Sequence, residues 1–188
     1  MTTTDKATWT IDPAHTEIGF AVRHLMLSTV RGRFGAVTGT VTVDEKNPKA
    51  AQVDVTIDVT SVDTRQEMRD NHLRSPDFFD VAKYPTMHFV SKRIEGDVAG
   101  TFRVIGDLTI KATTREVALD ASLEGRAIDP WGNERAGFSA KGKINRSEFG
   151  LTWNQMLEAG GVAVGDEIKL SIDAELVRQN AASVSVAA

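Results

Sequence analysis

Residues 53–60 read V-D-V-T-I-D-V-T. Val53, Val55, Ile57 and Val59 alternate with Asp54, Thr56, Asp58 and Thr60. Successive side chains of a strand point to opposite faces, so this pattern predicts a strand with one dry and one wet face. The same period recurs along the chain. Phe102, Val104, Gly106, Leu108 and Ile110 alternate with Thr101, Arg103, Ile105, Asp107 and Thr109. Val117, Leu119, Ala121 and Leu123 form another dry face, and so do Ile168, Leu170, Ile172, Ala174 and Leu176. Shorter candidates lie at residues 18–23, 39–43, 86–91 and 137–144, and turn signals at 47–48, 95–97, 129–133 and 160–161 separate the runs. Several runs approach about ten residues, longer than the usual strand. Long alternating strands favour a barrel, which removes sheet edges by closing on itself. The expected fold is all-β, an antiparallel barrel of about eight strands.

Just downstream, residues 64–84 read T-R-Q-E-M-R-D-N-H-L-R-S-P-D-F-F-D-V-A-K-Y and break the alternation. Thr64 and Glu67 have capping-box spacing, in which each side chain takes the other's backbone amide. Ser75-Pro76 predicts a second helix start, because proline at the first helical position wastes no amide. Phe78 and Phe79 give that segment a large apolar contact. A helical insertion around residues 64–80 is expected to lie on the barrel as a lid or plug, which implies that something is held inside.

The 188 residues predict one domain over 1–188, with residues 1–7 and 179–188 frayed. Hydrophobic residues make up 41% and the net charge is −4, so there is no basic footprint for nucleic acid. The absence of cysteine excludes disulfides and thiolate sites. No run reaches the roughly 18 apolar residues of a membrane helix, so no integral membrane segment is expected. The opening residues lack a signal-peptide core, which predicts a cytoplasmic location.

Candidate chemistry is sparse. His15, His24, His72 and His88 are the only histidines, and no pair has the helical spacing of a metal motif. No metal site is expected from them, even with Asp70 or Glu17. His15 and His72 are expected to satisfy buried polar groups near the barrel mouth. Arg69-Asp70 beside His72 invites an acid/base reading. Neighbours on a helix point in different directions, however, so these two are expected to tie the helix to the barrel. No catalytic residue is assigned. Gly32-Arg33-Phe34-Gly35 matches neither phosphate-binding pattern. Residues 145–150 are expected to turn a strand corner. Trp131 and Trp153 are expected to pack in the ordinary way, and residues 154–166 to form a mobile rim or a long hairpin connection.

Read together, these residues resemble the YceI-like family. Residues 9–16, W-T-I-D-P-A-H-T, are followed by Phe20 and His24, then by Gly32, Phe34, Val37 and Gly39. The most distinctive block holds Thr64, Arg69, Asp70, His72, Leu73, Ser75, Asp77, Phe78, Phe79, Asp80, Tyr84 and Pro85. Phe89, Ser91, Gly106, Leu108 and Thr109 continue it, and Gly137, Phe138, Ala140, Asn145, Arg146, Phe149 and Gly150 complete it. Thr16 stands where serine is usual and Ala112 where glycine is usual. The resemblance implies an extended, lipocalin-like barrel whose cavity holds a long-chain amphiphile such as an isoprenoid quinone. It also implies a homodimer without enzymatic activity, in a family with many exported members.

The dry faces support such a ligand, because an apolar interior leaves a polar metabolite's groups unpaired. A hydrocarbon chain gains about 0.8 kcal/mol per buried CH₂ instead. The expected lining is Phe20, Val22, Phe34, Val55, Ile57, Phe89, Phe102, Val104, Leu108 and Phe138, with Arg69 and His72 as candidate head-group contacts. The expected function is non-enzymatic binding, storage or transport of an isoprenoid-type lipid, polyprenyl or quinone-like, with no other cofactor. Two alternatives stand beside it. One is an enzyme acting on a lipid or hydrophobic metabolite through Asp70, His72 or His15. The other is a stress-related interaction protein with a filled barrel.

Overall fold

The alternating runs pair into one antiparallel sheet that closes on itself. A computed structural model describes residues 6–158 and 160–179. Its strands are β1 (Lys6–Ile11), β2 (Glu17–His24), β3 (Ser28–Phe34), β4 (Val37–Asp44), β5 (Asn47–Asp58) and β6 (Val62–Asp63). After helix α1 (Glu67–Arg74) come β7 (Thr86–Gly96), β8 (Thr101–Ile110), β9 (Thr113–Ile128), β10 (Glu134–Asn145) and β11 (Val164–Arg178). The ring runs β1-β4-β5-β7-β8-β9-β10-β11 and closes through β1 on β11, while β2-β3-β6 branches from β11. These are the eight strands of a lipocalin-like barrel.

Two staves are bent. β1 and β2 lie end to end along the same side of β11, with Ile11 opposite Leu176 and Glu17 opposite Asp173. Between them Pro13–His15 forms one helical turn, capped by Asp12, whose carboxylate accepts from the Ala14 amide at 2.9 Å. β3 and β4 face them as the second bent stave. The bend lets the chain's first half follow the barrel around a corner without losing a partner.

Strand contact is tight where the sequence places glycine. A Cβ at Gly106 would lie 2.4 Å from the Val90 carbonyl and 2.8 Å from the Ser91 Cα. Both are backbone, so relief requires the β7–β8 pair to part. Gly106→Ala is expected to cost about 1–3 kcal/mol, read as a lower urea midpoint at unchanged slope.

The insertion departs from its expected details. α1 begins at Glu67, but its cap is Gln66, whose Oε1 accepts from the Arg69 amide. Arg65, at φ 62°, turns the chain between Thr64 and the helix, which takes Thr64 out of capping position. No second helix starts at Ser75-Pro76. The segment continues as turns, with the Phe78 amide bonded to the Ser75 carbonyl and that of Tyr84 to Asp80. Asp80, at φ 52°, interrupts any helix there.

The ends are also better ordered than expected at their margins. Lys6 and Ala7 belong to β1, and Ala7 is buried. The Gln179 amide donates to the Thr8 carbonyl at 2.8 Å. The rest of the expected frayed ends, residues 1–5 and 180–188, lies outside the described residues.

Candidate functional site: an apolar channel

The inward faces enclose an elongated cavity of about 350 Å³. Sites for small ligands start near this size, at about 300 Å³. Phe102, Val104, Leu108 and Ile110 line it from β8, and Ile168, Leu170, Ile172, Ala174 and Leu176 from β11. Eight residues of strand at about 3.3 Å each give the channel a length of about 26 Å along β11. That shape suits an extended chain. Phe20, Val22, Phe34, Val55, Ile57, Phe89, Phe102, Val104, Leu108 and Phe138 all face it. Except for Phe34, whose strand β3 the alternation did not mark, the alternation located the inner face of these strands.

One end of the channel is covered. There the segment from α1 to β7 inserts Leu73, Phe78 and Phe79. Phe79 meets Phe34 edge-on at 5.8 Å, and Phe34 lies 5.5 Å from Phe20. The plug is fastened by a clasp that the sequence only half disclosed. Asp70 is buried, and its Oδ1 accepts from both the Thr64 amide (2.9 Å) and the Thr64 hydroxyl (2.5 Å). Arg69 donates from Nε to the Thr64 hydroxyl and from Nη2 to its carbonyl. The expectation that Arg69 and Asp70 point apart is therefore corrected. Thr64 precedes the helix, so both side chains can converge on it, and together they anchor the plug.

At the opposite end Trp9, only 5% exposed, packs with Ala7, Ala136 and Leu176. The Arg126 and Arg178 guanidiniums sit 5.7 and 6.0 Å from its ring. Arg178 also binds Glu134 at 2.8 Å and Glu45 at 2.5 Å. The Trp9 ring is thus covered by a wet layer of charge, and of these residues Arg126 lines the channel.

The head-group candidates lie elsewhere. Arg69 spends its guanidinium on Thr64, and neither it nor His72 lines the cavity. His72 sits outside the plug, 2.8 Å from Asp77 and edge-on to both Phe78 and Trp153. The expected burial of the histidines is also corrected, since the side chain of His15 is 60% exposed and that of His72 38%. His15 follows a surface turn and His72 crowns the helix, so water solvates both. Asp70, His72 and His15 do not meet on the cavity.

The polar side chains of the lining are Thr16, Ser139, Arg126 and Arg146. Arg146 went unnoticed in the sequence as anything but part of a corner. It opens the short helical turn Arg146–Phe149 and is 5% exposed. Its guanidinium donates to the carbonyls of Leu151 (2.6 Å), Trp153 (2.9 Å) and Gly165 (2.9 Å). Burial pulls it below its usual pKa, an effect partly offset by Asp166. The family resemblance includes this arginine but not its role, because that role depends on how the loop from Leu151 to Gly165 folds back over it.

A second polar cluster lies at the β1–β2 bend. Asp12, His15 and Glu175 approach closely enough to share a cation. Arg135 already occupies that space, with Nη1 bonded to both Asp12 (2.7 Å) and Glu175 (2.5 Å) and Nε bonded to Asp129 (2.8 Å). These bonds tie the bend to the turn after β9. Hydrogen bonds from Arg135, then His15, hold the Asp12 carboxyl at about 2, below its ordinary 3.8. A depressed carboxyl stabilises the fold above its unfolded pKa and loses that contribution as pH falls through the folded one. Stability is therefore expected to decline between about pH 4 and pH 2, with a smaller decline in Arg135→Met. Thermal midpoints across that range check it.

Comparison with known proteins decides the family. Residues 9–176 match the YceI-like domain. The chain belongs to the YceI-like family. It is 46% identical to Protein YceI of Escherichia coli O17:K52:H18 over 137 residues, covering 73% of this chain and 71% of that one. A crystal structure of Campylobacter jejuni YCEI protein superposes with a TM-score of 0.71 at 36% identity, covering 90% of this chain and 96% of that one. A polyisoprenoid binding domain from Saccharophagus degradans shares the fold at a TM-score of 0.68 and 13% identity, covering 91% and 98%. This YceI-like chain combines a barrel, a helical insertion and a largely apolar interior.

Proposed function

We propose that this YceI-like protein binds a long-chain isoprenoid-type lipid, polyprenyl or quinone-like, in the barrel and stores or carries it. The observation that carries this reading is the channel wall. Apart from Thr16, Ser139, Arg126 and Arg146 it is aliphatic and aromatic, and no carboxylate is among its described lining residues. Such a wall rewards a hydrocarbon tail and leaves a polar metabolite unpaired. Insertion competes with a membrane, where the same tail is equally dry, so chain length and head-group fit set selectivity. The Saccharophagus degradans domain, described as polyisoprenoid binding, supports the reading at the level of shape.

The two alternatives draw less support. An enzyme needs reactive groups facing the cavity, and Asp70, His72 and His15 face away from it. A filled barrel is at odds with an interior space of about 350 Å³. The homodimer and the cytoplasmic location belong to this proposal, and sedimentation and cell fractionation measure them. Native mass spectrometry with organic extraction tests the central claim. A discrete prenyl or quinone adduct supports it. A protein that carries none and takes up no added isoprenoid overturns it.

A further inference from the structure

We infer that the lipid enters and leaves between β5 and β7, where these strands part toward the end of the barrel away from the plug. The inference rests on the lipid-binding reading and adds the route. A long chain must pass the wall somewhere, and the plug covers one end.

The backbone ladder shows where the wall is weakest. β5 and β7 pair only from Asp54–Val90 to Asp58–Thr86. Residues 47–53 of β5 and 91–96 of β7 are unpaired with each other, although both strands run on. The last link is the Val53 amide donating to the Ser91 hydroxyl at 2.8 Å, a side chain in place of a ladder carbonyl. Just beyond it β7 shifts register against β8, between Ser91 and Arg93. Pro48 has no amide to offer a partner, as suits a free edge.

The lips of this seam are apolar. Pro48, Ala51 and Val53 on one side, and Ile94 and Val98 on the other, are half-exposed and line the cavity. A tail crossing here would touch hydrocarbon throughout, and parting the strands would break one side-chain hydrogen bond instead of a ladder.

Another stretch also lacks pairing, between residues 113–119 of β9 and 142–145 of β10. It is shut by packing. A methyl group at Gly142 would lie 2.7 Å from the Leu119 side chain and 3.1 Å from the Ala118 carbonyl. At the β1–β2 bend the wall is stitched by the Asp12 amide to the Glu175 carbonyl and by the Glu175 amide to the Thr16 hydroxyl. Val117, Leu119 and Ile144 line the cavity at the β9–β10 stretch too. Among the described residues the β5–β7 seam is set apart by its side-chain link in place of a ladder bond and by the register shift beside it.

The chain has no cysteine, so Ala51→Cys with Ile94→Cys creates a single thiol pair across the seam. A reducible bifunctional thiol reagent bridges it. Lys141→Cys with Ser171→Cys, in register across the laddered β10–β11 pair, is the control. Uptake and release of a fluorescent geranylgeranyl probe are followed by stopped flow. Bridging the seam is expected to slow both by about tenfold or more, as a closed gate does, with recovery on reduction and no change in the control. Equal rates in bridged and unbridged seam protein would overturn the route while leaving lipid binding intact. Failure of the parent protein to take up the probe at any concentration would overturn lipid binding, and the route with it.

Discussion

Val104→Glu is expected to lower the affinity for a prenyl-chain probe by about 100-fold or more while the barrel stays folded. Val104 is buried at the middle of β8 and faces the channel. A carboxylate there would meet the ligand's hydrocarbon on one side and the aliphatic wall on the other, with no cation among its strand neighbours Leu119 and Ile94. A loss of about 2.7 kcal/mol suffices for 100-fold, well inside the cost of an unpaired buried charge. Burial raises a carboxyl's pKa, so the penalty belongs to high pH. Binding should partly recover as pH falls and the group becomes neutral. Val104→Leu, which keeps the wall apolar, should bind nearly normally. Probe titration across pH, with circular dichroism as the check on folding, decides it. Unchanged affinity in folded Val104→Glu at high pH would remove this segment from the binding site.

Arg146→Met is expected to destabilise the fold by about 3–5 kcal/mol, because several carbonyls lose a donor at about 1–3 kcal/mol for each one left buried and unsatisfied. The guanidinium joins the turn after β10 to the loop that returns to β11, through carbonyls of Leu151, Trp153 and Gly165. Methionine fills much of the space but leaves those carbonyls without donors. For a chain of this size each kcal/mol moves the thermal midpoint by about 2–4 °C, so a fall of roughly 6–20 °C is expected. Arg146→Lys should recover part of it, since one ammonium keeps the charge but lacks the planar fork. A midpoint within a degree or two of the parent would show that the loop holds without the strut.

Period-two alternation carried most of the fold because a closed barrel asks the same thing of each long strand, one dry face and one wet. Val53 to Ile57, Phe102 to Ile110 and Ile168 to Leu176 all obey it, and their inward side chains line the channel. β1 and β3 were not legible. β1 is short, with Thr8 and Thr10 between Ala7, Trp9 and Ile11, and β3 carries Arg31, Gly32 and Arg33 in sequence. Each is recognised by its partners, β4 and β11 for one and β2 for the other, and not by its own composition.

The plug divides the same way. Its helix and its apolar Phe78 and Phe79 could be read locally, because helix spacing and aromatic bulk are properties of a short segment. The clasp could not. Asp70 and Thr64 form a buried pair only because Arg65 turns the chain back on itself.

By itself, then, the sequence determined an all-β barrel, which faces of its main strands are dry, and where a helical insertion interrupts it. These follow from side-chain direction and hydrophobicity, which act residue by residue. Only the tertiary structure decided that Arg69 and His72 stay outside the channel, that Arg146 binds the carbonyl of Gly165, and that β5 and β7 part company beyond the Asp54–Val90 pair. Those outcomes depend on which strands end up adjacent and where their ladders run out, and loop closure and packing across the whole barrel set both.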